Sequence, residues 1–312
     1  MIMEQARLTW MLASLATVPI MVGLCVWKWH GLLKVVGEHV SMTKLACLYI
    51  TGQFYNFLLP SSSGGDVVRM ALLCKETRLR KHAVSSIIIE RFIGLIVLSA
   101  LAGLSLLMAP EIRQDRILLA ATLAGNGLAV VILIFAFSTW ATAICLQRLR
   151  RFRWAQAILS KILTVQKSLW SYRRHKRQLL IALLQSAGFY LTAVAGVYFA
   201  SLSFGFMPRF ESHVMIVPIV LTITLLPITI GALGLWEWSF TAAFSAFGMP
   251  AELGLSVSLL LRARDVIWSI GGYALILLCF VSRNDGFTPK AMRSILQNKH
   301  RQQTDNVPPN VS

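Results

Sequence analysis

The stretch Leu58-Leu59-Pro60-Ser61-Ser62-Ser63-Gly64-Gly65-Asp66 divides an apolar region at 45–74 into two halves. A second apolar region at 213–249 is divided by Leu225-Leu226-Pro227-Ile228-Thr229-Ile230-Gly231-Ala232-Leu233-Gly234. Proline removes a backbone donor from a helix and glycine lets the chain turn back, so each region predicts two half-helices joined by irregular backbone.

Five longer apolar runs surround the two broken regions. They lie at 8–27, 84–108, 117–138, 179–204 and 254–280, and each is long enough to cross a hydrocarbon core of about 30 Å. Of the 312 residues, 56% are hydrophobic and only 14% are charged, whereas a soluble domain has about 25% charged residues. The composition therefore predicts an all-α polytopic membrane protein with five to eight membrane segments. The net charge of +17 in so apolar a chain points to a membrane surface and not to nucleic acid.

The expected organisation is one transmembrane domain at 1–281, a basic cytoplasmic loop at 148–177 and a basic, disordered cytoplasmic tail at 282–312. The first apolar run ends in Trp27-Lys28-Trp29-His30. These residues are typical of an interfacial anchor and not of a signal-peptide cleavage site. The loop at 148–177 either lies on the inner leaflet as an amphipathic helix or serves only to set the topology.

The basic residues support a hairpin interpretation of the broken regions. If each region returns to the side it entered from, 22 lysine and arginine residues fall on one face and only Arg7, Arg113, Arg116 and Arg209 on the other. The positive-inside rule then predicts a cell (inner) membrane protein with its C-terminus in the cytoplasm.

The two broken regions contain the same sequence features in the same order. Each has Leu-Leu-Pro, then glycines, then an acid (Asp66 or Glu237), and later a spanning run with charges in its first half. In the hairpin interpretation the two regions enter from opposite sides, so we expect an inverted repeat, the arrangement found in many alternating-access transporters.

Eight charges remain in or beside the apolar segments: Asp66, Arg69, Glu90, Arg91, Glu237, Arg262, Arg264 and Asp265. Glu90 and Arg91 are adjacent, so on a helix they point about 100° apart and need partners from other elements. The same reasoning predicts that Arg264 does not pair with Asp265. These charges either hold the hairpins against the spanning helices or surround a polar path in which arginines hold an anion and carboxylates hold a proton or cation.

The residues Ser61-Ser62-Ser63-Gly64-Gly65 open a half-helix, where hydroxyls and backbone N–H groups suit a phosphate. They lack the GxxxxGK[ST] pattern, so we predict no nucleotide-driven pump. The six histidines show no ligand spacing, and we expect neither a metal nor a cofactor.

Two motifs resemble a known family. The run from Asn56 through Arg69, followed by Glu90-Arg91-Phe92-Ile93-Gly94-Leu95, is similar to the first signature of the lysylphosphatidylglycerol synthase transmembrane, or flippase-like, family. The run from Leu226 to Glu237 resembles its second signature, although the family more often has a polar residue at Ala232 and arginine at Trp236. The resemblance implies a stand-alone member. Because no aminoacyl-transferase domain follows the last run, we expect it not to synthesise lysyl-phosphatidylglycerol.

The leading hypothesis is translocation, without catalysis, of a polar or phosphate-bearing lipid between leaflets. The resemblance implies that the lipid is anionic, aminoacylated or isoprenoid-linked. It also implies that the protein acts in the biogenesis of cell-envelope lipid or polysaccharide. Arg69, Arg91 and Arg264 would engage phosphate, and Asp66, Glu90, Glu237 and Asp265 would orient them or couple a proton.

The alternative is a non-transporting membrane subunit that recruits or regulates a cell-envelope glycosyltransferase through the loop at 148–177. A membrane-embedded enzyme is the third hypothesis, but no nucleophile and base with a recognisable catalytic spacing appear in the sequence.

Overall fold

The computed structural model describes residues 7–58, 64–75, 77, 80–138, 166, 170, 172, 174–226 and 228–280. Within these ranges the chain is helical and contains no strand. The helices are α1 (Leu8–Val35), α2 (Met42–Leu58), α3 (Gly64–Leu73), α4 (Arg80–Met108), α5 (Pro110–Gln114), α6 (Arg116–Phe137), α7 (Lys176–Ser203), α8 (Phe210–Ile223), α9 (Leu235–Ala246) and α10 (Ala251–Phe280). Most of the predicted loop at 148–177 and all of the tail at 282–312 lie outside the described residues.

The five long apolar runs are confirmed as the helices α1, α4, α6, α7 and α10. Four of them, α1, α4, α6 and α7, are long and apolar enough to cross a membrane. The helix α10 has 30 residues and carries Arg262, Arg264 and Asp265 near its middle. The fold is therefore that of a polytopic all-α membrane protein.

Both broken regions form helix pairs with an interruption. The four half-helices α2, α3, α8 and α9 have 17, 10, 14 and 12 residues, fewer than the roughly 20 that a membrane crossing requires. The second interruption contains a short 3₁₀ turn at Ile230–Ala232 with φ angles of 61° at Gly231 and 79° at Gly234. Glycine adopts these left-handed angles without a steric penalty, which lets the backbone turn between α8 and α9.

The helix order repeats along the chain. The lengths of α1 to α4 are 28, 17, 10 and 29 residues, and those of α7 to α10 are 28, 14, 12 and 30. The contacts repeat as well, because α2 packs against α10 and, correspondingly, α8 packs against α4. The helices α5 and α6 lie between the two copies in sequence.

The two copies are inverted relative to each other. The equivalent helices α1 and α7 form the most extensive helix contact in the described structure, and they run antiparallel. Near one end of the pair Trp10 stacks on Phe199, and near the other Lys28 donates to Ser186. Because equivalent helices point in opposite directions, the pseudo-twofold axis lies across the bundle, as the predicted inverted repeat requires.

Each broken region returns to the end of the bundle at which it starts. At one end the beginning of α2 and the end of α3 meet, where Leu45 packs in one cluster with Leu72 and Leu73. At the other end the beginning of α8 meets the last turns of α9, where His213 lies edge-on to Phe244. We call the first end, which also holds the C-terminus of α1 and the N-terminus of α7, the basic end.

Candidate functional site

Five charged side chains form a continuous network between α1, α3 and α4. They are Lys28 on α1, Asp66 and Arg69 on α3, and Glu90 and Arg91 on α4. The Glu90 carboxylate lies 3.0 Å from Arg69 Nη2 and 3.9 Å from Lys28 Nζ. The Asp66 carboxylate lies 3.3 Å from Arg69 Nη2 and 2.6 Å from Arg91 Nη2. We call these five side chains the charge network.

The prediction that Glu90 and Arg91 take their partners from elements other than α4 is confirmed. Glu90 points to Arg69 and Lys28, whereas Arg91 binds both oxygens of Asp66, at 2.6 and 2.7 Å. The helix α4 therefore contacts α3 through two separate ion pairs. The local Asp66–Arg69 pair, three residues apart, joins them into one unit.

Burial divides the network into an inner and an outer part. Only 3% of the Arg69 side chain is exposed, and its guanidinium lies 4.6 Å from the Trp29 ring centroid and 4.8 Å from that of Tyr49. Arg69 is therefore enclosed by the side chains of Trp29, Tyr49, Asp66 and Glu90. By contrast, 59% of the Arg91 side chain is exposed, so Arg91 is the accessible end of the network.

The sequence interpretation of Lys28 and Trp29 as part of an interfacial anchor was wrong. The helix α1 continues to Val35, and the structure buries Lys28 at 5% exposure and Trp29 completely, while Trp27 is exposed. The signal was present in the spacing, because Cys25, Trp29 and Leu32 recur at helical intervals and share one buried face.

The second copy of the repeat contains one equivalent ion pair. Glu237 on α9 lies 2.8 Å from Arg262 on α10, and the two residues are 25 positions apart, the same separation as Asp66 and Arg91. Asp66 and Glu237 are each the third residue of their half-helix, and Arg91 and Arg262 occupy the same position in α4 and α10. The 25-residue separation can be read from the sequence, and it would have identified the two ion pairs as equivalent.

The inner part of the charge network has no counterpart in the second copy. The positions equivalent to Arg69 and Glu90 hold Phe240 and Leu261, which are both buried in the same apolar cluster. The two copies thus share one accessible ion pair, and only the first adds a buried one.

The Glu237 side chain joins the backbone of the second break to α10. Its Oε2 accepts the Gly234 N–H at 2.8 Å, and its Oε1 accepts Arg262 Nε at 2.8 Å. One carboxylate therefore caps α9 and fixes α10 beside it, which gives Glu237 a structural role in addition to any contact with a ligand.

The prediction that Arg264 and Asp265 do not pair was wrong. Arg264 Nε and Nη2 both lie 2.9 Å from Asp265 Oδ1. The arginine side chain is long enough to bend along the helix surface, so adjacent positions do not prevent contact. The Arg264 Nη1 group also lies 3.4 Å from the hydroxyls of Ser14 and Thr17 on α1.

Arg264 and Asp265 line a cavity of about 270 Å³ between α1, α2, α7 and α10. We call it the central cavity, because it adjoins the antiparallel α1–α7 pair that relates the two copies. Its lining residues are Val18, Met21, Val22, Tyr49, Gln53, Asn56, Phe189, Arg264, Asp265, Trp268 and Ser269. Gln53 and Asn56, which lie one helical turn apart on α2, were not among the predicted site residues.

Two polar atoms of the central cavity lack a hydrogen-bond partner among the described residues. They are the buried Gln53 Oε1, an acceptor, and the buried Trp268 Nε1, a donor. Buried polar atoms in proteins are nearly always hydrogen-bonded. Gln53 and Trp268 therefore place one unpaired acceptor and one unpaired donor in the wall of the central cavity, beside the Arg264 guanidinium.

The residues predicted to bind phosphate at the first break are only partly described. Ser61, Ser62 and Ser63 lie outside the described residues, whereas Gly64 and Gly65 are buried at the start of α3. The Gly65 N–H is not free, because it donates to Asn56 Oδ1 at 2.7 Å. A Cβ at Gly65 would overlap the Gly52 carbonyl oxygen, so this glycine permits the close approach of α2 and α3. Across the described residues, no group of three or more His, Cys, Asp or Glu side chains is placed to hold a metal ion.

The structure is a polytopic membrane protein. It has an inverted pair of broken hairpins, and charged side chains lie between its helices. Residues 2–272 match the family model described as the lysylphosphatidylglycerol synthase TM region, and the chain belongs to this family. A curated relative is the UPF0104 membrane protein of Methanothermobacter thermautotrophicus, which is 26% identical over 270 residues, covering 78% of this chain and 76% of the relative. No solved structure matches the chain.

Proposed function

We propose that this protein translocates a phosphate-bearing lipid between the two leaflets of the cell membrane. The headgroup passes through the central cavity while the acyl or prenyl chains remain in the surrounding lipid. The observation that carries this proposal is the position of Arg264, whose guanidinium lines a polar cavity beside the helix pair that joins the two inverted copies.

The chemistry of the central cavity suits a headgroup with one phosphate. Asp265 accepts from Nε and Nη2 of Arg264, and the 3.4 Å contacts of Nη1 with Ser14 and Thr17 are long for hydrogen bonds. An incoming phosphate would offer Nη1 a stronger, charge-assisted partner.

The architecture supports alternating exposure of this cavity. In inverted repeats, substrate sites lie near the midplane at the interface of the copies, and one copy moves against the other. Here the central cavity adjoins helices of both copies, because α1 and α2 belong to the first and α7 and α10 to the second. A rocking motion between the copies would carry the headgroup past Arg264 without any catalytic step.

Phospholipid exchange in reconstituted vesicles tests this proposal. Fluorescently labelled phosphatidylglycerol, phosphatidylcholine and polyprenyl phosphate are each incorporated with the protein, and dithionite quenching reports the fraction in the outer leaflet over time. We expect Arg264→Gln to slow exchange of the preferred phosphate lipid by about tenfold to a hundredfold, because hydrogen bonds to charged groups contribute about 1.5 to 3 kcal/mol.

The matched control is Arg113→Gln, which removes an exposed arginine from α5 and should leave exchange unchanged. The proposal is wrong if the wild-type protein accelerates exchange of no lipid class, with or without a pH gradient. It is also wrong if folded Arg264→Gln protein transports at the wild-type rate.

A further inference from the structure

A second cavity lies at the basic end, far from the central cavity. It has a volume of about 760 Å³ and is formed by the last turns of α1 and the first turns of α7. We call it the basic groove, and its charged lining consists of Lys34, Arg174, Lys176 and Arg177. Lys34 follows the central-cavity residue Val22 by 12 positions, which on a helix separates them by about 18 Å.

The charge of the basic groove is unbalanced. All four lysine and arginine side chains are exposed, and no acidic residue lines the groove. None of the four forms an ion pair with another described residue. Like charges about 4 Å apart repel by about 1 kcal/mol in water and by more near a low-dielectric surface, so such a groove favours a bound anion.

The start of α7 adds to this positive potential. A helix N-terminus carries a partial positive charge and unpaired N–H groups, which are usually capped by a side-chain oxygen. At α6 the Asp115 carboxylate supplies this cap to the Ile117 and Leu118 N–H groups. At α7, by contrast, the N-cap residue His175 provides no side-chain cap and the first turn contains no acid.

The rest of the basic groove's wall contains the polar residues His175 and Gln178 and an apolar part. Val35 and Ile181 line it, and Leu180 and Leu184 on the same helix are 58% and 64% exposed. Since α7 is long and apolar enough to cross a membrane, these exposed leucines suit contact with acyl chains. A free phosphate would use only the charged side, whereas a phospholipid would use both.

We infer that the basic groove binds the phosphate headgroup of an anionic phospholipid from the leaflet at the basic end. Lys34 belongs to the first copy of the repeat, and Arg174, Lys176 and Arg177 precede or begin the first helix of the second. A headgroup bound by residues of both copies stabilises the contact between the two copies at this end. The site is separate from the proposed transport path and does not depend on it.

Thermal unfolding of the full-length protein in a neutral detergent tests this inference. Dioctanoyl phosphatidylglycerol, dioctanoyl phosphatidylcholine or inorganic phosphate is titrated at fixed ionic strength, and the melting temperature is followed by tryptophan fluorescence. A ligand that binds only the folded state raises the melting temperature in a concentration-dependent way. We expect a rise of about 3 °C or more with phosphatidylglycerol, and no rise with phosphatidylcholine or with phosphate at the same concentration.

The diagnostic variant replaces Lys34, Arg174, Lys176 and Arg177 by glutamine. We expect its apparent affinity for phosphatidylglycerol to fall at least tenfold, since each cation near an anionic headgroup contributes a factor of about five. The matched control replaces the four exposed arginines of the opposite end, Arg7, Arg113, Arg116 and Arg209, by glutamine. It loses the same charge and should keep the full response.

Three results would overturn the inference. They are a full phosphatidylglycerol response in the groove variant, an equal response to phosphatidylcholine in the wild type, and an equal response to inorganic phosphate, which would indicate a site for a free anion. If the fourfold variant does not fold, Lys34→Gln and Arg174→Gln are measured separately. Each should then weaken binding about fivefold, and unchanged binding in both would equally reject the site.

Discussion

Replacing Glu90 by leucine removes the carboxylate at the centre of the charge network. Only 6% of the Glu90 side chain is exposed, and it lies 3.0 Å from Arg69 and 3.9 Å from Lys28. In Glu90→Leu, Arg69 keeps its 3.3 Å contact with Asp66, but Lys28 keeps only its hydrogen bond to a serine hydroxyl. At least one buried cation is then uncompensated.

The expected cost is about 3 to 5 kcal/mol, the usual penalty for removing one partner of a buried ion pair. For a protein of this size this corresponds to a fall in melting temperature on the order of 10 °C. The melting temperature is measured on detergent-purified protein by the fluorescence of its nine tryptophans. The control Glu111→Leu removes an exposed acid from α5 and should change the melting temperature by only a few degrees at most.

The second copy of the repeat supplies a rescue for this variant. Its equivalent positions hold Phe240 and Leu261, so Arg69→Phe combined with Glu90→Leu reproduces an apolar pair that the fold already accommodates. Adding Lys28→Met removes the last uncompensated charge. Because a buried ion pair can often be replaced by well-packed apolar residues without loss, the triple variant should recover most of the lost stability.

Two outcomes would refute this reasoning. A Glu90→Leu protein that melts within about 2 °C of the wild type would show that the carboxylate does not compensate buried cations. A triple variant less stable than the single one would show that the two copies are not equivalent at these positions. If the triple variant folds, its lipid exchange rate separates a structural role of the buried charges from a role in transport.

Two further predictions concern the hairpins and the topology. Gly65→Ala should destabilise the protein by about 1 to 3 kcal/mol in the same melting assay, because the new Cβ would overlap the Gly52 carbonyl. The control is Gly23→Ala, whose Cβ would meet no neighbour. An equal effect of both substitutions would contradict the close packing of α2 and α3 at Gly65. In a cysteine-free background, Lys34→Cys should react with a membrane-impermeant maleimide only from the cytoplasmic side and Arg113→Cys only from the outside; labelling of both from one side would exclude the inverted arrangement.

The sequence alone determined the membrane class, the five long helices and the two breaks. These features depend on local properties, namely the length of an apolar run and the presence of proline and glycine. The charge count also predicted that both hairpins return to their own side, as α2–α3 and α8–α9 do. Adjacent positions on one helix predicted separate partners for Glu90 and Arg91, which is confirmed, but the same reasoning was wrong for Arg264 and Asp265.

Only the tertiary structure decided which residues meet. The burial of Lys28, the pairing of Arg264 with Asp265 and the polar wall formed by Gln53 depend on contacts between helices distant in sequence. In a soluble protein the apolar face of a helix would predict such contacts. In a membrane the lipid chains are as apolar as leucine, so hydropathy does not distinguish the face that packs on a neighbouring helix from the face that lipid covers.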